Sequence, residues 1–88
     1  MKLSEIKRKC ALGQKLQLVY HSMTSPLPQD IAGVREIVQV QNNSIKLGDS
    51  WLDFPKADQI VGNEKGFTIT IPPYREGGTP LVMVYEYR

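Results

Sequence analysis

The stretch Arg35–Ala57, REIVQVQNNSIKLGDSWLDFPKA, constrains the fold more than any other part of the chain. It reads as a strand, a tight turn, a second strand, and an aromatic segment closed by a proline. Val34, Val38 and Val40 recur on one parity, with Glu36 the exception, while Ile37 sits on the other parity among Arg35, Gln39 and Gln41. Alternation of this kind with β-branched residues predicts a half-buried strand, with Ile37 marking partial cover of its second face. Asn42-Asn43 tolerates the positive φ that a two-residue hairpin turn requires. Ile45 and Leu47 carry the return strand, with Ser44 and Lys46 facing out. Gly48-Asp49-Ser50 is a further turn, followed by Trp51, Leu52 and Phe54. Pro55 has no N–H to give a ladder, so the strand ends there or lies at an edge. Pro55–Asp58 suits one turn of helix with proline in first position.

The remaining segments read as partners for this one. Leu3, Ile6 and Cys10 recur at helical spacing and predict a helix over about residues 4–12, with Ser4 as N-cap and Gly13 as stop. So short a helix is unstable alone in water and must dock its apolar stripe. Lys15–His21 alternates, placing Leu16, Leu18 and Tyr20 on one side. Ser22–Gly33 holds Pro26 and Pro28 and shows no period, which makes it a long loop of the kind that often carries function. Ile60-Val61 forms a short strand, and Asn63–Gly66 a hairpin turn with Gly66 suited to the left-handed position. Phe67, Ile69 and Ile71 alternate with threonines until Pro72-Pro73. Tyr74–Pro80 is a turn-rich loop, and Leu81–Tyr87 is the last strand.

One short helix and about six short strands, in a single domain of 88 residues, favour a mainly β fold. A strongly bent antiparallel barrel of five to six strands over residues 14–88 is expected, because closure removes exposed edges. No apolar run approaches the ~20 residues of a membrane span. Met1–Cys10 is too charged for a signal-peptide apolar region. The single cysteine, Cys10, allows no internal disulfide, so a reducing cytoplasm is the expected compartment.

Charge is uneven. Residues 1–15 hold five basic side chains against Glu5, a net +4, and the remainder carries −2, for a total of +2. Lys7, Arg8, Lys9 and Lys15 are therefore candidate contacts for nucleic acid, against the plainer alternative of a solvated helix face.

Candidate chemistry is sparse. Cys10 and His21 fall short of a zinc site, and the aspartates lack calcium-loop spacing. No phosphate loop or dinucleotide fingerprint is present; Gly77-Gly78 is a loop dipeptide. His21-Ser22 with Asp30, Asp49 or Asp53 has the residue types of a triad without a nucleophile elbow. Cys10, on the helix's apolar face, reads as a small core hydrophobe. No cofactor and no enzymatic activity are expected. Trp51 and Phe67 suit the core, although a tryptophan N–H seeks a partner and could hold Trp51 at a barrel mouth. Tyr74 beside Arg75, in a Pro/Gly loop, is the ring most suited to exposure. Such a pair can stack on a base or anchor a protein interface.

LGQKLQLVYHS, then GVREIVQVQNNSIKL, then SWLDFPKADQI resembles a small Src-homology-type barrel across residues 12–61: a glycine before the first strand, a long first loop, a hairpin and an aromatic-proline segment. The block SWLDFPKA also looks like short proteins of bacteria and their phages that pair a leading helix with such a segment. The resemblance to the barrel implies an interaction module that binds peptides or nucleic acids, with the leading helix added to the minimal barrel; the likeness to the bacterial and phage proteins implies no activity. A protein partner is the first expectation, docked on the Ser22–Gly33 loop with Pro26 and Pro28, together with Tyr74, Arg75 and Trp51. Nucleic acid bound by the basic helix is the second. A homodimer through an open strand edge or the helix stripe is compatible with either.

Overall fold

Two β-bulges decide which side chains reach the core. The computed structural model describes residues 2–23 and 33–88. It comprises one helix, α1 (Leu3–Lys9), and seven strands: β1 (Lys15–His21), β2 (Val34–Val40), β3 (Ser44–Leu47), β4 (Ser50–Asp53), β5 (Ile60–Gly62), β6 (Gly66–Ile71) and β7 (Leu81–Tyr87). All pairings are antiparallel, in one sheet of order β4-β3-β2-β1-β7-β6-β5.

The fold is mainly β, as expected, but it is not a closed barrel of five to six strands. Among the described residues no ladder joins β4 to β5, and Ser50–Asp53 pairs with β3 as a seventh strand in its own right. The reason lies between the two edges. Pro55 has no N–H to give a ladder, and a 3-10 turn at Ala57–Gln59 redirects the chain before β5 begins. That turn starts two residues beyond Pro55, so the proline precedes it rather than occupying its first position. The open sheet still bends over itself. Ile45, Leu47 and Leu52 from one half join Ile60, Phe67 and Ile69 from the other in one buried cluster.

In β1, Leu16 lies opposite Tyr87 and Leu18 opposite Tyr85, all on the core face. The register then shifts between Leu18 and Tyr20, and Tyr20 pairs with Val84 on the outer face. Tyr20 is therefore exposed, although it shares the parity of Leu16 and Leu18. In β2, Leu16 faces Arg35 and Leu47 faces Ile37, so Arg35 and Ile37 point inward. A second shift between Ile37 and Gln39 follows. Val34, before the shift, opposes Gln17 on the outer face, and Val34 and Val38 are exposed; Val40, after it, opposes buried Ile45 on the inner face yet stays exposed at the strand end, while Ile37 is fully buried. An extra residue in one strand of a pair changes which parity faces the core.

Helix α1 begins one residue before Ser4, with Lys2 as an N-cap that makes no side-chain hydrogen bond. It ends before Cys10, whose N–H donates to the Ile6 carbonyl at 3.0 Å. Gly13, at φ 89°, forms the following turn and donates to the Ile37 carbonyl at 2.9 Å. The stripe docks as expected: Ile6 and Cys10 have no exposed surface. Ile6 sits so close to β5 that a Cβ at Gly62 would lie 2.7 Å from its Cδ1.

The hairpin turns use other devices than the sequence implies. Asn42 and Asn43 keep negative φ. Gly66 does too; its lack of a side chain matters because a Cβ there would overlap the Tyr85 carbonyl oxygen. The turn before it is held by Asn63, whose Oδ1 accepts from the N–H groups of Lys65 at 2.8 Å and Gly66 at 3.1 Å. Ser44 keeps the parity of Lys46, opposite Asp53, but is covered there.

Candidate functional site

The bend of the sheet leaves an apolar cavity of about 370 Å³ at one end. Core residues Leu18, Leu47, Leu52 and Tyr85 form its floor, and Met23, Met83, Ser50 and Trp51 stand around it. Trp51 is 45% exposed. It sits on β4, an edge strand whose outer backbone side pairs with no strand among the described residues. Trp51 thus lies at an opening, not in the core. The pairing with β3 explains this: Trp51 opposes Lys46 on the outer face, while Leu52 opposes Ile45 on the inner one.

Arg35 also lines this cavity. The outward reading of its parity missed it; the apolar Ile37 two residues on was the available signal that this parity faces in. Its stem passes beside the turn at Gly48, where a Cβ would lie 3.8 Å from Arg35 Cδ. Its Nη1 donates to the Leu47 carbonyl at 3.3 Å. It also lies near the Tyr85 side chain. Burial pushes the Tyr85 pKa up, and the Arg35 charge pulls it partly back. Among the described residues Arg35 makes no ion pair; the one bridge there joins Arg88 to Glu86 at 2.9 Å.

Tyr74 and Arg75 occupy the loop between β6 and β7, and Tyr74 is fully exposed. With Pro72, Pro73, Gly78 and Thr79 they line a second hollow of about 470 Å³, which shares no residue with the first. Tyr74 and Trp51 are therefore separate features. Pro26 and Pro28 lie outside the described residues. The loops that start and end near β1 and β7 are nonetheless tied at their roots. Ser22 Oγ donates to the Pro80 carbonyl at 3.0 Å and accepts from the Val82 N–H at 2.8 Å. Its own N–H donates to the Val82 carbonyl at 3.0 Å.

The basic helix is partly engaged with its own molecule. Lys7 Nζ donates to Asn43 Oδ1 at 2.8 Å and stands 5.9 Å from the Phe54 ring centre. Lys9 Nζ stands 5.5 Å from the ring centre of Tyr87. Arg8 and Lys15 are exposed. Beneath the helix, burial pushes the Cys10 thiol up to about 12. Tyr87 is also pushed up to about 12, by burial first and by the neighbouring Cys10 second. An ordinary thiolate nucleophile is not available from such a group.

Among the described residues no group of three or more histidine, cysteine, aspartate or glutamate side chains could hold a metal ion. No helix among them is long and apolar enough to cross a membrane. No protein-family model matches the chain, and neither a curated protein nor a solved structure matches it.

Proposed function

We propose that this protein is a non-enzymatic interaction module that docks on a protein partner. The observation that supports this best is Trp51: a half-exposed tryptophan on an edge strand, at the mouth of an apolar cavity. Tryptophan set over a pocket is the side chain most often found at the energetic centre of a protein interface. An edge strand also offers unpaired backbone groups to an extended segment of a partner. Tyr74 and Arg75 supply a second contact on their exposed loop.

The test places a photo-crosslinking amino acid at position 51, at 74, or at the exposed control position 64, in cells that make the protein. A discrete adduct from position 51, absent from position 64, is expected. No adduct from either 51 or 74 would overturn the reading. Nucleic acid is the weaker alternative, since Lys7 and Lys9 are already held over aromatic rings.

A further inference from the structure

An arginine is rarely turned toward a core without a carboxylate beside it. Taking a guanidinium out of water costs several kcal/mol in effective terms, and hydrogen bonds to neutral oxygens recover only part of that. Arg35 is half-buried on this face and, among the described residues, has no carboxylate paired with it. The ladder with β1 places it opposite Leu16, on the inner face of the sheet, and it reaches the cavity beneath Trp51. Among the described residues its Nη1 donates to the Leu47 carbonyl and its charge lies near the Tyr85 hydroxyl, both neutral groups. Of its five N–H donors, only one meets an acceptor within hydrogen-bond distance among the described residues, so the guanidinium can offer others to a ligand. The same inner face holds His21, which pairs with cavity-lining Met83 and whose buried Nδ1 has no partner among the described residues.

The cavity is of the size that takes a small ligand or one to two side chains, and its walls are almost entirely apolar. One cation set among Leu18, Leu47, Leu52 and Met83 defines the complementary chemistry: an apolar body ending in one negative charge. The planar fork of a guanidinium matches a carboxylate in two parallel hydrogen bonds, and such bonds strengthen where water is excluded.

We propose that the cavity beneath Trp51 binds an apolar carboxylate, with Arg35 pairing the carboxylate and the leucine and methionine side chains holding the apolar body. Two sources share this chemistry: a free aliphatic or aromatic acid, and the C-terminal residue of a peptide. The site shares Trp51 with the docking reading but does not rest on it, because a free acid would bind with no protein partner present.

The experiment titrates the intact protein with octanoate, octanamide, and a tetrapeptide ending in leucine whose C-terminus is either free or amidated. Trp51 fluorescence and backbone amide shifts report binding. Octanoate binding that octanamide does not match would identify a free acid as ligand. Binding of the free peptide alone, lost on amidation, would identify a partner's C-terminus. Arg35→Gln should weaken either by about tenfold or more. Ser50→Leu, which adds apolar bulk to the cavity lining and leaves the arginine itself unchanged, should abolish it while the amide spectrum stays folded. Equal binding of acid and amide would overturn the proposal, as would no binding of any probe, or full binding by folded Ser50→Leu.

Discussion

The Ile6 side chain occupies the space that a Cβ at Gly62 would need, 2.7 Å from its Cδ1. The helix and the edge strand β5 are therefore fitted to one another at a single position. Gly62→Ala should push Ile6 out of its seat and destabilise the fold by about 1–3 kcal/mol, the usual range for overpacking. A chemical denaturation midpoint measures it. The Gly62→Ala, Ile6→Val double variant should recover part of the loss, because valine lacks the Cδ1 that meets the new methyl, although the Cγ1 position, also 2.7 Å away, remains filled. No recovery would show that the glycine serves the strand backbone alone.

A second expectation concerns alkaline pH. Cys10 and Tyr87 have ordinary values of 9.0 and 10.0, and both are raised to about 12 in the fold; Tyr85 is raised as well. The folded state thus holds protons that the unfolded chain gives up. Stability falls with pH wherever the native state binds more protons. It should be intact below about pH 9 and decline progressively as pH rises toward 12. Denaturation midpoints across that range check the slope, and Cys10→Ala should flatten its first part. Native Cys10 should also resist thiol reagents that label the denatured chain rapidly.

Ser22 joins the ends of two loops. Ser22→Ala would remove both the bond to the Pro80 carbonyl and the acceptor for the Val82 N–H. A part-buried donor left unsatisfied costs about 1–3 kcal/mol. Hydrogen exchange should quicken first at Val82, and only slightly at the centre of β6. Uniform acceleration across the sheet would show that the link has no local role.

The helix cations separate into two kinds. Lys7 and Lys9 lie over Phe54 and Tyr87, so replacing either by alanine should lower stability by roughly 0.5–1 kcal/mol, the cation–π contribution at an exposed site. Arg8→Ala and Lys15→Ala should leave stability almost unchanged. Nucleic-acid binding at low salt is expected to be undetectable. If it were found, and fell with the Arg8 and Lys15 changes while weakening steeply with salt, the interface would be the basic helix.

The strand segments, the short docking helix and the loop at Tyr74 were legible in the chain itself. Period-two runs interrupted by proline and glycine leave little alternative, and Leu3, Ile6 and Cys10 define one helical face. The solvent position of Tyr74 followed from its Pro/Gly surroundings alone. The faces were a different matter. A bulge inserts one residue into a ladder, and no local signal in VREIVQV or KLQLVYH marks where the insertion falls. It depends on how each strand pairs with its neighbour, so only the assembled sheet turned Tyr20 outward and brought Val40 opposite Ile45, whereas Ile37 already hinted that the parity of Arg35 faces in. The same holds for the open edge. Alternation cannot reveal whether the first and last strands of a sheet meet, because closure depends on strand length and on where Pro55 and the 3-10 turn send the chain. Local periodicity arises from steric contacts between residues near in sequence; the cavity and its arginine arise from pairings between residues far apart, and those exist only once the sheet has bent.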